Sequence, residues 1–115
     1  MPKSILIVSS LDTKWQEVNF LKTLIEQRGH KTLLLDMSMR GEPQIPADVP
    51  CEEVARAGGT TIQEIKTSTK SRSEKTAIMI EGAIRKVIEL YQTGKVDGIV
   101  GVGGVSNTAI GTDII

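Results

Sequence analysis

Apolar residues fall along this chain in two rhythms, and the alternation between them lays out the fold. Ile5, Leu6, Ile7 and Val8 form a continuous aliphatic run within residues 4–8, closed by Ser9 and Ser10. Such a run reads as a strand buried on both faces. Val18, Leu21 and Ile25, flanked by Phe20 and Leu24, then recur at helical spacing. Thr13 and Gln16 fit a capping box with Thr13 as N-cap, and Gly29 is a natural stop. Residues 32–35 are a second buried strand, closed by Asp36.

Residues 37–72 read as a long connection, broken early by Pro43, Pro46 and Pro50. The pattern predicts one short helix in it, over 52–57, stopped by Gly58 and Gly59. Residues 67–73 are polar and basic. Ser71 and Glu74 form a second capping box that opens the next helix. Its apolar face is predicted as Ala77, Ile80, Ile84, Val87 and Tyr91, and Gly94 ends it. Asp97 and Gly98 turn into a third strand over 99–102, and a last helix begins near Ser106 or Asn107 and runs about two turns to Ile115.

The order β-α-β-insert-α-β-α predicts an α/β domain with right-handed crossovers. We expect a three-layer Rossmann-like domain over residues 1–115, with a short parallel sheet of about three strands in the order 2-1-3. Three strands are few for that architecture, so an incomplete doubly wound fold is expected, the N-terminal part of a longer architecture. In this order the first and third strands are neighbours. Their carboxyl-end loops then flank a topological switch point, where open α/β sheets bind ligands.

Composition narrows the function. Aromatics are only 3% of the chain, so the core must come from Ile, Leu, Val and Ala. Fourteen basic residues balance fourteen acidic ones, leaving no net field to draw nucleic acid. Cys51 is alone, which argues against a disulfide framework and fits a reducing cytosol. The apolar run after Met1, Pro2 and Lys3 is too short for a signal sequence or a membrane span. A cytoplasmic protein with no membrane and no nucleic-acid partner is the expectation. The exposed edge of so thin a sheet is expected to be covered by a second copy or a partner subunit.

Gly103, Gly104, Val105, Ser106, Asn107 and Thr108 carry the candidate chemistry. Glycines allow close backbone approach, and a glycine turn feeding a helix converges N–H groups on a phosphate. The run is neither a Walker A loop nor a dinucleotide fingerprint, because it lacks the Gly-Lys-Ser/Thr ending and the third glycine. A tight strand-to-helix turn is the alternative. Asp12, Thr13 and Lys14 follow the first strand: Lys14 can neutralise a phosphate, Thr13 can donate a hydroxyl, and Asp12 can hold a ribose hydroxyl or a metal-bound water. Alternatively they cap the helix. Asp36 stands where an acidic residue can contact a ribose, or it caps a turn, and Arg40 follows in the same loop. Lys66, Lys70, Arg72 and Lys75 form a basic patch diluted by Glu64 and Glu74, and read as a solvated loop. His30 and Cys51 read as structural, and no metal cluster or nucleophile elbow is evident.

An ordered set of segments adds a resemblance. Leu11-Asp12-Thr13-Lys14 follows the first strand; Arg28-Gly29-His30, Glu53-Val54-Ala55-Arg56-Ala57-Gly58, Glu81-Gly82-Ala83 and Asp97-Gly98-Ile99-Val100-Gly101-Val102-Gly103-Gly104 come after it in order. Together they resemble a poorly characterised family of bacterial, fungal and plant proteins, similar to the ATP-binding N-terminal domain of the plant tobamovirus-resistance protein. The resemblance implies a Rossmann-like domain with a nucleotide near the Leu11–Lys14 and Gly103–Gly104 loops. It also implies a protein several times longer. Trp15, in place of a small residue, and Val105-Ser106-Asn107, in place of a more glycine- and serine-rich turn, depart from that family's pattern.

The expected function is therefore nucleotide binding. ATP is the expected ligand, with Mg2+ carried by the nucleotide, in a regulatory module or the nucleotide half of a larger enzyme. An enzyme acting on a phosphorylated metabolite such as a sugar phosphate is a second reading, with Asp12, Asp36 and Glu81 as its acid or base candidates. A ligand-free interaction or oligomerisation module is the third.

Overall fold

The structure, a computed structural model, describes residues 3–12, 14–39 and 44–102. Among these, β1 (Ser4–Ser9), α1 (Trp15–Gln27), β2 (Lys31–Asp36), α2 (Cys51–Ala57), α3 (Ile62–Thr67), α4 (Arg72–Gln92) and β3 (Gly98–Gly101) follow in order. The strands form an all-parallel sheet in the order β2-β1-β3, the α/β arrangement expected. Ile5 stands opposite Thr32 and Gly98, and Val8 opposite Leu35 and Gly101. Parallel neighbours need crossovers, which α1 and the α2–α4 segment provide.

The pleat sorts the strand residues onto two cores. Leu6, Val8 and Leu35 pack with Val54, Ala55, Ile62, Ile65, Met79, Ala83 and Val87 from α2, α3 and α4. Ile7 and Leu34 point the other way, onto Leu11 and Val18, with Leu21 and Ile25 alongside. Gly29 and Gly94, at φ +85° and +75°, close α1 and α4, because a left-handed residue there favours glycine.

Three expectations need correcting. The N-cap of α1 is Lys14, with no side-chain cap bond, one residue beyond the expected Thr13, which lies outside the described residues. The long connection holds a second helix, α3. Its capping signal is Thr61, whose hydroxyl accepts the Glu64 N–H at 3.1 Å, and a six-residue helix gives too little periodicity to see otherwise. The third correction is the buried face of α4, which is Met79, Gly82, Ala83 and Val87, whereas Ala77 and Tyr91 are exposed. The reason is close helix approach. A Cβ on Gly82 would lie 2.0 Å from the Val54 carbonyl oxygen, and one on Gly58 would lie 2.5 Å from that of Ile78. Small residues, not the largest apolar ones, mark the line where α2 and α4 meet. The expected Ser71–Glu74 capping box is present, with the Ser71 hydroxyl accepting the Glu74 N–H at 3.2 Å.

The outer edge of β2 is occupied. Val49 donates its N–H to Leu34 and accepts that of Asp36, and the Asp48 carboxylate accepts the Leu34 N–H at 2.7 Å. Among the described residues no helix is long and apolar enough to cross a membrane.

Candidate functional site

The carboxyl ends of the three strands are tied together by side chains that the strands themselves deliver. Ser9 ends β1 fully buried, and its hydroxyl donates to the Val102 carbonyl at 2.7 Å. Val102 in turn donates its N–H to Val8 at 3.0 Å, so the chain leaving β3 is held against β1. On the other side, Met37 donates its N–H to the Ser9 carbonyl at 2.8 Å.

Asp36 is the knot of this edge. It ends β2 with no exposed surface. Its Oδ1 accepts the Leu11 N–H at 3.0 Å, the Ser38 N–H at 2.9 Å and the Ser38 hydroxyl. That hydroxyl then accepts the Asp12 N–H at 3.1 Å. A carboxylate fixing its own turn two residues on is the Asx pattern, and here it also fixes the loop after β1. Asp36 thus takes the turn-capping alternative. Its Oδ2 is buried with no hydrogen-bond partner among the described residues. Cys51 lies close by, where burial, with the charges of Asp36 and Glu52 adding to it, pushes the thiol up to about 11. A thiol held protonated in this way is a poor nucleophile at neutral pH.

Beside this knot lies a cleft of about 430 Å³, within the roughly 300–1,000 Å³ of small-molecule sites. Ser10, Asp12 and Ser38 line it from the loops after β1 and β2, Lys66 from α3, and Arg72 and Lys75 from α4. Met37, Met39 and Ile65 supply its apolar surface. Asp12 is half-buried and held by its backbone, with its carboxylate in no hydrogen bond to a described residue. None of the three cations is in an ion pair with a described residue. The Ser38 hydroxyl is spent on Asp36 and Asp12. Among its described lining residues the cleft therefore offers positive charge, the Ser10 hydroxyl and the Asp12 carboxylate over an apolar lining, which suits a ligand carrying phosphate on a polar, partly apolar body.

The candidate residues divide as follows. Asp12 lines the cleft, whereas Lys14 does not; Lys14 is half-buried at the start of α1, donating its N–H to Ser10 at 2.9 Å. Thr13, Arg40, Gly103, Gly104, Val105, Ser106, Asn107 and Thr108 lie outside the described residues. Glu81 is exposed and pairs with Arg85 at 2.9 Å, away from the cleft. The basic patch read as a solvated loop puts Lys66, Arg72 and Lys75 on the cleft wall. Ser38 was not a candidate; the Asp36-Met37-Ser38 turn pattern was the signal for it. Among the described residues no group of three His, Cys, Asp or Glu side chains is placed to hold a metal.

No solved structure matches this chain. Its sequence relatives include bacterial proteins. A UPF0261 protein of Brucella suis is 37% identical over 110 residues, covering 96% of this chain and 26% of the relative. Its counterpart in Brucella melitensis is 36% identical with the same coverage, and one in Clostridium tetani is 33% identical, covering 96% and 27%. The chain thus spans about a quarter of the length of the curated relatives it matches. The profile of the uncharacterised protein family (UPF0261) N-terminal domain matches residues 3–115. These matches correct the expected resemblance: they support no link to fungal or plant proteins or to a tobamovirus-resistance protein. The chain belongs to the UPF0261 N-terminal domain family.

Proposed function

We propose that this domain binds a nucleotide, with ATP as the expected ligand, at the carboxyl end of its sheet. One observation carries the reading: Asp12 shares a cleft with three cations over the ends of β1 and β2, the region where open parallel sheets take their ligands. Gly103 and Gly104, which lie outside the described residues, remain the sequence's second candidate for phosphate contacts. For the whole protein, this domain serves as the nucleotide-holding part of a larger enzyme or regulatory protein. A reducing cytoplasm is the compartment this reading expects, in keeping with the single buried Cys51.

A thermal-shift panel of ATP, ADP, NAD and sugar phosphates tests it. A ligand at a hundredfold excess over its dissociation constant stabilises the folded state by about 2.7 kcal/mol. The expected result is a rise with ATP that is lost in Lys66→Gln. A rise with sugar phosphates alone moves the reading to an enzyme of phosphorylated metabolites, and a flat panel overturns both.

A further inference from the structure

The knot at the end of β2 uses only half of the Asp36 carboxylate. Its Oδ1 accepts three donors: the Leu11 N–H, the Ser38 N–H and the Ser38 hydroxyl. Its Oδ2 accepts none. Among the described residues it is the one buried side-chain nitrogen or oxygen without a partner. Folded proteins rarely leave such an atom orphaned, because the hydration it loses on folding is not replaced. An oxygen that neither caps the turn nor meets solvent calls for a donor from a bound molecule.

Asp36 does not line the cleft described above, but it does line a second cavity, of about 450 Å³. The partners of Oδ1 are Leu11, in the loop after β1, and Ser38, which is on the cleft wall. The two oxygens of a carboxylate diverge, so Oδ2 turns away from these partners, toward the second cavity. Cys51 lines that cavity and is near enough for its thiol to feel the Asp36 charge. Pro50 and Ile62 give the cavity apolar walls, and Gln63 brings an amide that can donate or accept. Glu52 Oε2 is already engaged there, by the Ile62 N–H at 3.1 Å and by Arg56 at 3.8 Å. Lys66 borders both cavities, so the two adjoin.

We propose that this second cavity is a base subsite, holding an amino-bearing nucleobase by a hydrogen bond from its exocyclic amino group to Asp36 Oδ2. The proposal rests on the nucleotide reading above, in which the base is adenine. Apolar walls with a few fixed polar groups are how cavities of this size hold a heterocycle. An ionised carboxylate offers acceptors only, so the site selects a base that donates. A base without that donor leaves Oδ2 unpaired, and a buried group left unpaired is what gives a site its discrimination. The base then lies on one side of Lys66 and the phosphates on the other, in the cleft.

The test is calorimetric titration of the full chain with ATP, with adenosine, and with purine riboside triphosphate, which carries hydrogen in place of the amino group. The native protein is expected to bind ATP at least about tenfold more tightly than purine riboside triphosphate. Asp36→Asn keeps the Oδ1 acceptor for the turn and puts an N–H donor where Oδ2 stood, so in this variant the gap closes. A second measurement needs no variant: in amide NMR spectra of the native chain, adenosine should shift Cys51, Ile62 and Gln63, and inorganic tripolyphosphate should not. If Asp36→Asn does not fold, that shift map decides. Equal binding of ATP and purine riboside triphosphate by the native protein means that Oδ2 holds water only; it overturns the base subsite and leaves the nucleotide reading standing. A gap that persists in Asp36→Asn, or adenosine shifts that miss these three residues, does the same. Adenosine binding at these residues as tightly as ATP keeps the base subsite and overturns the phosphate cleft, and no binding by any of the three ligands overturns both.

Discussion

The two faces of the sheet are packed by different means. On one face α2 and α4 approach until backbone meets backbone, with Gly58 and Gly82 at the contact and a core drawn from three helices. On the other face α1 is the one helix among the described residues, with Val18 as its one fully buried residue and Phe20 and Leu24 left 66% and 40% exposed. The sequence offers α1 the richer apolar stripe, yet it buries less. Depth of burial here follows how closely helices approach, and small residues set that distance better than large ones do.

The largest effect should come from Gly82→Ala. The added methyl meets the Val54 carbonyl oxygen, a backbone atom that cannot swing away. A loss of more than about 3 kcal/mol is expected by urea unfolding, and a loss under 1 kcal/mol would show that the helices can part. Next come matched truncations on the two faces. Val54→Ala on α2 should cost about 3 kcal/mol, and Val18→Ala on α1 about 2 kcal/mol; equal losses would mean that α1 is packed as tightly as α2 and α4.

The better-packed face also carries a titration. The Cys51 thiol, pushed up to about 11 from an ordinary 9.0, ionises later in the folded chain than in the unfolded one. Between those values the native state holds the extra proton, so the thiol's contribution is full below pH 9 and is lost as pH rises toward 11. At pH 10 the native protein should have lost up to about 1.4 kcal/mol more than Cys51→Ala has, relative to pH 8. Parallel pH curves for the two proteins would refute the shift. The smallest effect belongs to the exposed side of α1, where Phe20→Lys should change stability by less than about 0.5 kcal/mol. A larger loss would mean that this face is covered in solution.

Much of this was legible in the sequence because strands and caps speak locally. The aliphatic runs at Ile5–Val8 and Leu33–Leu35, the Ser71–Glu74 box and the glycine stops at Gly29 and Gly94 each depend on neighbouring residues alone. The rest depended on what lies across the fold. The burial of α4 is rotated away from Tyr91 because Gly82 must face Val54, and nothing in the spacing of α4 announces α2. The cleft was hidden for the same reason. Asp12 was a candidate from its place after a strand, but Lys66, Arg72 and Lys75 looked like solvated charges until the fold set them beside it. Asp36 was visible as the end of β2. That it fixes Leu11 and, through Ser38, Asp12 required the register of β1 against β2.

The central position of β1 has a consequence for how the protein is made. Of the three strands, β1 leaves the ribosome first. Its pairing with β3 waits for Asp97, 93 residues after Ser4, whose carboxylate accepts the Ser4 N–H. At roughly 5–20 residues per second, that wait is on the order of 5–20 s. During it, β1 and β2 can already pair, while the other side of β1 stays open, with Leu6 and Val8 short of their α4 cover. The strand that organises the sheet is therefore also, of the three described strands, the one left half-paired for longest during synthesis.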